Sequence, residues 1–108
     1  MDYCEDIATN FLPTIRALIA KELKEKYKLT QERIAQMLDI TQPAVSQYLK
    51  EARGKQAKKI EKVEKIMKII EEIALRINNG DIKKSEISKM ICDICKIYSS
   101  KNECILEV

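Results

Sequence analysis

The chain has 108 residues, a formal net charge of +3, four cysteines and no histidine. A chain of this length supports one small domain, or a compact motif with an oligomerisation segment, but two independent cores would be hard to build. The small net charge does not by itself select a class of partner. An enzyme is the least expected class, because the sequence has no histidine, no glycine-rich phosphate loop and no carboxylates at catalytic spacing.

Composition and hydropathy predict an all-α, cytoplasmic protein with no membrane contact. The first ten residues, MDYCEDIATN, lack the basic-then-apolar order of a secretion signal. No apolar run approaches the roughly 20 residues that span a bilayer. Glycine and proline number only two each, no useful strand-type alternation appears, and glutamate, lysine, leucine and isoleucine dominate. We therefore predict a compact helical bundle.

The first predicted helix runs from about Pro13 to Tyr27, with the proline suited to its first turn. Its apolar residues recur at the spacing of one helix face. They are Leu12, Ile15, Leu18, Ile19 and Leu23. This helix should support the elements that follow it.

The sequence LTQERIAQMLDITQPAVSQYLK, residues 29–50, predicts two short helices joined by three residues. Thr30 and Thr41 can cap the two helices at their amino ends, and Pro43 falls in the first turn of the second. Ala35 is small where two closely crossing helices need room. Asp39, in the turn, must accept a left-handed backbone, which aspartate tolerates better than most residues. These features predict a helix-turn-helix motif.

The second of these helices has one apolar and one polar side. If Val45, Tyr48 and Leu49 face inward, the helical period turns the remaining side chains outward. The candidate DNA contacts on and beside this outer side are Thr41, Gln42, Pro43, Ser46, Gln47 and Lys50. A glutamine amide can pair with N6 and N7 of adenine, whereas serine is less selective and proline offers only apolar contact. The alternatives are a solvated helix face and an ordinary two-helix hairpin within a bundle.

Residues 31–50, with QxxIAxxL, a turn and TQPAVSQYL, resemble the helix-turn-helix of the Cro/phage-repressor (XRE-type) regulators. The turn position usually held by glycine is Asp39 here. The resemblance implies that the first residue of the recognition helix and one further along it read bases. In this chain these residues are Gln42 and Gln47.

Positive charge is concentrated just after this motif. Between Thr41 and Lys68 there are eight lysines and arginines against three acids. Arg53 and Lys55, on either side of Gly54, are the candidates for phosphate contacts, which position a protein without selecting sequence. The later lysines have the alternative role of solvating a helix.

The carboxyl-terminal half predicts a helical hairpin. A stripe of apolar residues runs along a predicted helix from Lys58 to Ile77, residues 78–81 (NNGD) end it, and another helix begins near Ser85. The stripe comprises Ile60, Val63, Ile66, Met67, Ile69, Ile70, Ile73, Ala74 and Ile77. We divide the chain into a DNA-binding region, residues 1–55, and a dimerisation and sensing region, residues 56–108.

A palindromic operator needs two recognition helices about 34 Å apart, which a two-fold homodimer supplies most simply. The isoleucine stripe is the candidate dimer interface. The alternative, that it packs within its own chain against the amino-terminal helices, is equally compatible with the sequence.

The four cysteines are Cys4, Cys92, Cys95 and Cys104. Cys92 and Cys95 are neighbours on one side of the last predicted helix, away from its core stripe, and the other two lie near the chain ends. Four thiolates without histidine suit zinc or an iron–sulfur cluster, and a 4Fe–4S cluster is one form. The alternative is no cofactor, with the cysteines as small apolar residues. The whole chain also resembles small archaeal-type regulators with a cysteine-bearing helical tail, which favours the cluster.

Together these patterns predict a dimeric, sequence-specific transcriptional regulator of double-stranded DNA, responsive to redox state or iron through the four cysteines. The alternative from another class is an antitoxin-like or adaptor module that uses the same helices mainly to bind another protein.

Overall fold

The computed structural model describes residues 11–101, with side chains described as far as Tyr98. This range contains six α-helices and no strand, so the prediction of an all-α fold is confirmed. The helices are α1 (Leu12–Glu25), α2 (Gln31–Leu38), α3 (Gln42–Glu51), α4 (Lys55–Glu61), α5 (Glu64–Asn79) and α6 (Lys84–Lys101). None of the described helices is both long enough and apolar enough to cross a membrane.

Helix α1 lies at the centre of the packing and contacts α2, α3, α4 and α5. Ile15, Leu18, Ile19 and Leu23 are all buried, as their spacing predicts. Pro13 lies in the first turn, also as predicted. The helix ends at Glu25, just before the expected end at Tyr27.

The single helix predicted from Lys58 to Ile77 is wrong. The helix stops at Glu61 and a new one starts at Glu64, with Val63 in an extended conformation (φ −93°, ψ 99°). In one continuous helix, Ile60 and Ile66 would lie about 120° apart around the axis. The break lets both side chains enter the same core, where each is no more than 1% exposed.

Most of the isoleucine stripe packs within its own chain. The prediction that the stripe forms the dimer interface is therefore wrong for its buried residues. Helix α5 lies against α1. Ile66, Ile70, Ile73, Ala74 and Ile77 are buried there. Burial of this much apolar surface is a main source of folding free energy, at about 25 cal/mol per Å².

Helices α5 and α6 form the predicted hairpin. Gly80 adopts a left-handed backbone (φ 75°), and the N–H of Asp81 donates to the Arg76 carbonyl, which closes the end of α5. Glu86 Oε1 accepts the backbone N–H of Lys83 at 3.0 Å, one half of a capping box. The Arg76 guanidinium also donates to Glu86 at 3.2 Å and so joins the two helices.

Helix α6 joins the same hydrophobic core as the helices before it. Ile91 and Ile94 are buried, and the ring of Tyr98 stacks on Phe11 with centroids 4.2 Å apart. The buried residues from Phe11 to Ile94 form one cluster. The division into regions at residues 55 and 56 stays a prediction.

Candidate nucleic-acid interface

The starts of α2 and α3 are fixed by the two threonines expected to cap them. Thr30 Oγ1 accepts the backbone N–H of Arg33 at 3.1 Å, and Thr41 Oγ1 accepts that of Ala44 at 3.2 Å. Each hydroxyl satisfies an N–H that has no partner inside its helix. Pro43 lies in the first turn of α3, where no donor is needed. The amino end of α3 is therefore held at a defined residue.

The turn between α2 and α3 has the predicted left-handed residue. Asp39 has φ 59° and ψ 48°, and the N–H of Ile40 donates to the Ala35 carbonyl at 2.9 Å. Ala35 is 6% exposed, so its small side chain lies inside the packed region. The conformation usually left to glycine thus occurs at an aspartate, and three residues separate α2 from α3.

The Asp39 carboxylate also forms an ion pair that sequence analysis missed. Its partner is the ammonium group of Lys84, the first residue of α6. The hydrogen bond from Lys84 holds the pKa of Asp39 below its ordinary value. No short-range pattern links residues that are 45 positions apart, so only the tertiary structure reveals this contact between the turn and α6.

Helix α3 packs on α1 and α2 through the side predicted to face inward. Val45 is fully buried, and Tyr48 and Leu49 are half-buried against the core. This packing fixes the rotation of the helix about its own axis. The polar side therefore points away from the rest of the described chain.

The amino end of α3 is open to solvent. Its first turn contains no acidic residue, so the positive end of the helix dipole is not neutralised there. Of the six candidate contacts on and beside the outer side, Ser46 is half-buried. The exposed ones are Thr41, Gln42, Pro43, Gln47 and Lys50.

Basic side chains continue from α3 into α5. Arg53 and Lys55 are exposed beside Gly54, which precedes α4. No ion pair between described residues uses any of the eight cations in this segment. One of the three acids, Glu61, instead accepts from Lys21 on α1 at 2.8 Å. The eight are Lys50, Arg53, Lys55, Lys58, Lys59, Lys62, Lys65 and Lys68, and all are exposed.

The two described cysteines lie on α6. Cys92 is exposed, and Cys95 is half-buried against the core. Burial, together with the neighbouring Cys92, raises the pKa of the Cys95 thiol. Within residues 11–101 no group of three or more histidine, cysteine, aspartate or glutamate side chains is arranged to hold a metal ion. Cys4 and Cys104 lie outside the described residues.

A family model described as helix-turn-helix matches residues 19–71, just under half of the chain. The match includes both capped helices, the left-handed turn and the basic segment that follows them. No curated protein and no solved structure matches the chain. Over residues 19–71 the chain is therefore similar to the helix-turn-helix family that this model describes.

Proposed function

We propose that this protein is a sequence-specific transcriptional regulator that reads an operator in double-stranded DNA with the amino end of α3. The observation that carries the proposal is the exposure of Thr41, Gln42, Pro43 and Gln47 on a helix whose opposite side is fixed in the core. The major groove admits such a helix end, and its base edges are within reach of short polar side chains.

Gln42 and Gln47 are the proposed base-reading residues. Each amide can donate to N7 and accept from N6 of one adenine, which discriminates against a wrong base by about 5- to 150-fold. Thr41 and Ser46 offer hydroxyls, and Pro43 offers apolar contact with a thymine methyl group. Lys50, at the far end of the helix, is assigned to the DNA backbone.

Arg53 and Lys55 are the proposed phosphate contacts. Both are exposed, and neither takes part in an ion pair between described residues. Replacing either residue with alanine should weaken binding to all DNA sequences alike and reduce the slope of log affinity against log salt by about 1. Lys24→Ala, on the exposed side of α1, is the matched control and should leave the slope unchanged.

The experiment that tests the function is selection of fragments from a genomic DNA pool, followed by affinity measurement on the enriched sequence. The wild-type protein should concentrate a small set of related fragments. Gln47→Ala should weaken binding to them, whereas Gln36→Ala, an exposed glutamine on α2, should not. Failure to enrich any fragment would refute the proposal and favour the adaptor or antitoxin-like alternative.

We also propose that two copies bind a palindromic operator, because a two-fold pair presents two recognition helices at the needed spacing. Since most of the isoleucine stripe is buried within the chain, the contact must use another surface. Leu75 on α5 is the large apolar side chain left most exposed among the described residues, at 45%. Leu75→Glu should convert a dimer to a monomer in sedimentation equilibrium, and a monomeric wild-type protein on a single half-site would refute the dimer.

The finer proposal concerns sensing by Cys4, Cys92, Cys95 and Cys104. Two thiols lie three residues apart on α6, one exposed and one half-buried, and this spacing suits two ligands of one metal ion or cluster. A cluster would supply sensitivity to oxygen and iron, whereas zinc would supply a fixed cross-link. Because Cys4 precedes α1 and the pair lies on α6, a shared ligand set would link the support of the recognition helix to the hairpin.

Anaerobic purification followed by visible absorbance and metal analysis tests this sensing site. A cluster should give visible absorbance that is lost in Cys92→Ser and kept in Lys96→Ser, an exposed neighbour on α6. One equivalent of zinc without visible absorbance would show that the site holds a structural zinc ion and not a cluster. Neither metal in the wild-type protein, or equal operator affinity with and without the metal, would refute sensing and leave the DNA-binding proposal standing.

A further inference from the structure

A pocket of about 300 Å³ lies where α6 meets the helix-turn-helix. Ile19 of α1 contributes to its wall, with Leu38 and Ile40 from the end of α2 and the turn. Tyr48 of α3 and Ile87 of α6 also line it. The pocket therefore touches both the recognition helix and the turn that positions it.

The side chains around this pocket are only partly packed. Met37, Leu38, Ile40, Tyr48 and Ile87 are all half-buried, although each also packs against the core. The pocket is therefore a cleft open to solvent. Helix α6 borders the pocket with its first two turns, and its first residue, Lys84, is joined to the turn by the ion pair with Asp39.

The charged groups on the lining are cationic. Arg16 enters from α1, and the Ser88 hydroxyl adds a donor. Lys84 of α6 also lines the pocket but is paired with Asp39, and among the described residues no carboxylate belongs to the lining. Small-molecule sites are typically clefts of about 300–1,000 Å³, mostly apolar, with a few polar groups that fix orientation. The combination fits a small organic anion that has an apolar body.

We propose that this pocket binds a small monocarboxylate with an aliphatic or aromatic body, and that occupancy changes the affinity of α3 for DNA. The carboxylate pairs with Arg16 at the rim, and the apolar body lies between Ile40, Tyr48 and Ile87. Occupancy reaches DNA through Tyr48 and the turn, because both contact the ligand and both fix α3. This regulatory half rests on the proposed function, whereas the binding half does not.

The binding test is a titration of the full-length protein with sodium octanoate. The NMR chemical shifts of the isoleucine methyl groups report binding. Octanoate should shift the signals of Ile40 and Ile87 and leave that of the distant core residue Ile73 in place. Octanol has the same apolar body without the charge, and octylammonium has the opposite charge. Both should bind at least about tenfold more weakly, since charge-assisted hydrogen bonds are lost.

Two variants and their controls locate the site. Arg16→Ala should weaken octanoate binding by about tenfold, and Lys24→Ala on the same helix should not. Ser88→Trp, which fills the pocket from its exposed rim, should abolish binding, and Lys89→Trp should not. Equal binding of octanol and octanoate, or unchanged binding in Arg16→Ala and Ser88→Trp, would overturn the site. Shifts that depend on protein concentration without octanoate would assign the pocket to a second copy of the chain.

The regulatory half is tested by titrating DNA with and without saturating octanoate. A change in operator affinity that disappears in Ser88→Trp supports it, and an unchanged affinity overturns it. If the protein selects no DNA fragment at all, the proposed function fails while octanoate binding still decides the pocket. If it selects DNA but binds no octanoate, the inference fails alone.

Discussion

The α2–α3 and α5–α6 helix pairs end their first helix with the same backbone geometry but with different residues. In each, a left-handed residue follows the first helix, at Asp39 and at Gly80. In each, the next N–H reaches back five residues, from Ile40 to Ala35 and from Asp81 to Arg76. The first pair accepts a strained aspartate whose carboxylate contacts α6, whereas the second uses the residue without a Cβ.

The two pairs differ more in what they leave exposed. Helix α3 buries one side and leaves its amino end open, with Gln42 and Gln47 exposed and no acidic residue in its first turn. The α5–α6 hairpin is cross-linked by Arg76 and buries the isoleucines of α5 against α1. One pair therefore presents a polar surface, while the other stabilises the structure behind it.

The largest expected effect concerns the stabilising role of α5. Ile73→Ala should lower the free energy of unfolding by about 2–5 kcal/mol, because its side chain is fully buried and would leave a cavity. Ile69→Ala, on the same helix but half-buried, should cost clearly less. Urea unfolding at several protein concentrations measures both values. A loss for Ile73→Ala that depends on protein concentration would instead place the stripe between two chains.

The next effect compares the two left-handed turns. Gly80→Ala should cost about 1–2 kcal/mol, since its backbone has φ 75° although an added Cβ would meet no atom within 4 Å. Asp39→Gly should relieve the backbone strain of the left-handed conformation, but it also removes the ion pair with Lys84. Gly54→Ala, at a negative φ, separates the two causes of cost, because its added Cβ meets the Glu51 carbonyl oxygen at 3.3 Å but needs no left-handed backbone. If Gly80→Ala left stability unchanged, the left-handed turn would not be required there.

The two caps provide a smaller test. Thr30→Ala and Thr41→Ala should each cost about 1 kcal/mol of unfolding free energy, because each leaves one helix N–H without its side-chain acceptor. Replacement by serine keeps the hydroxyl and should restore most of the loss. Only Thr41→Ala should also reduce operator affinity, since that cap fixes the end of α3. Equal losses of DNA binding in the two alanine variants would contradict this assignment.

The smallest expected effect depends on pH. Burial raises the pKa of Glu22 on α1 above 4.5, with Glu71 and Glu25 adding to the rise and Lys26 opposing it. One of its carboxylate oxygens is buried and has no hydrogen-bond partner among the described residues. Because the folded pKa is raised, the protonated form favours folding at low pH, and this contribution is lost as pH rises through the folded pKa.

Glu22→Gln should therefore stabilise the protein at neutral pH, by less than about 1 kcal/mol because the group is partly solvated. The gain should shrink as pH falls through the raised pKa of Glu22 and be absent well below pH 4.5. Glu25→Gln, an exposed neighbour on the same helix, is the control. Unfolding curves measured across this pH range would contradict the account if Glu22→Gln were destabilising at neutral pH.

The features of α2 and α3 could be predicted because their causes are local. A threonine cap, a proline in the first turn and an aspartate in a tight turn act within three or four residues. The side of α3 that faces outward also follows from the helical period once Val45 is taken as buried. These local signals were sufficient to position the candidate DNA contacts.

The remaining features depend on contacts distant in sequence. The apolar spacing through Val63 continues across the break, so only the shared core of Ile60 and Ile66 reveals why the helix stops. The apolar stripe on α5 predicts that this side of the helix is buried, but the sequence does not identify the helix that packs against it. The pairing of Asp39 with Lys84 likewise requires α6 to be placed beside the turn first.

Whether Gln42 and Gln47 each read an adenine is decided by placing 7-deazaadenine at one position at a time in the selected operator and measuring affinity. This base lacks the N7 acceptor and keeps the N6 amino group. Wild-type protein should lose about fivefold or more in affinity at two positions in each half-site. Gln42→Ala should abolish the loss at one position and Gln47→Ala at the other. Equal losses in the wild-type protein and both variants would contradict base reading by the amino end of α3.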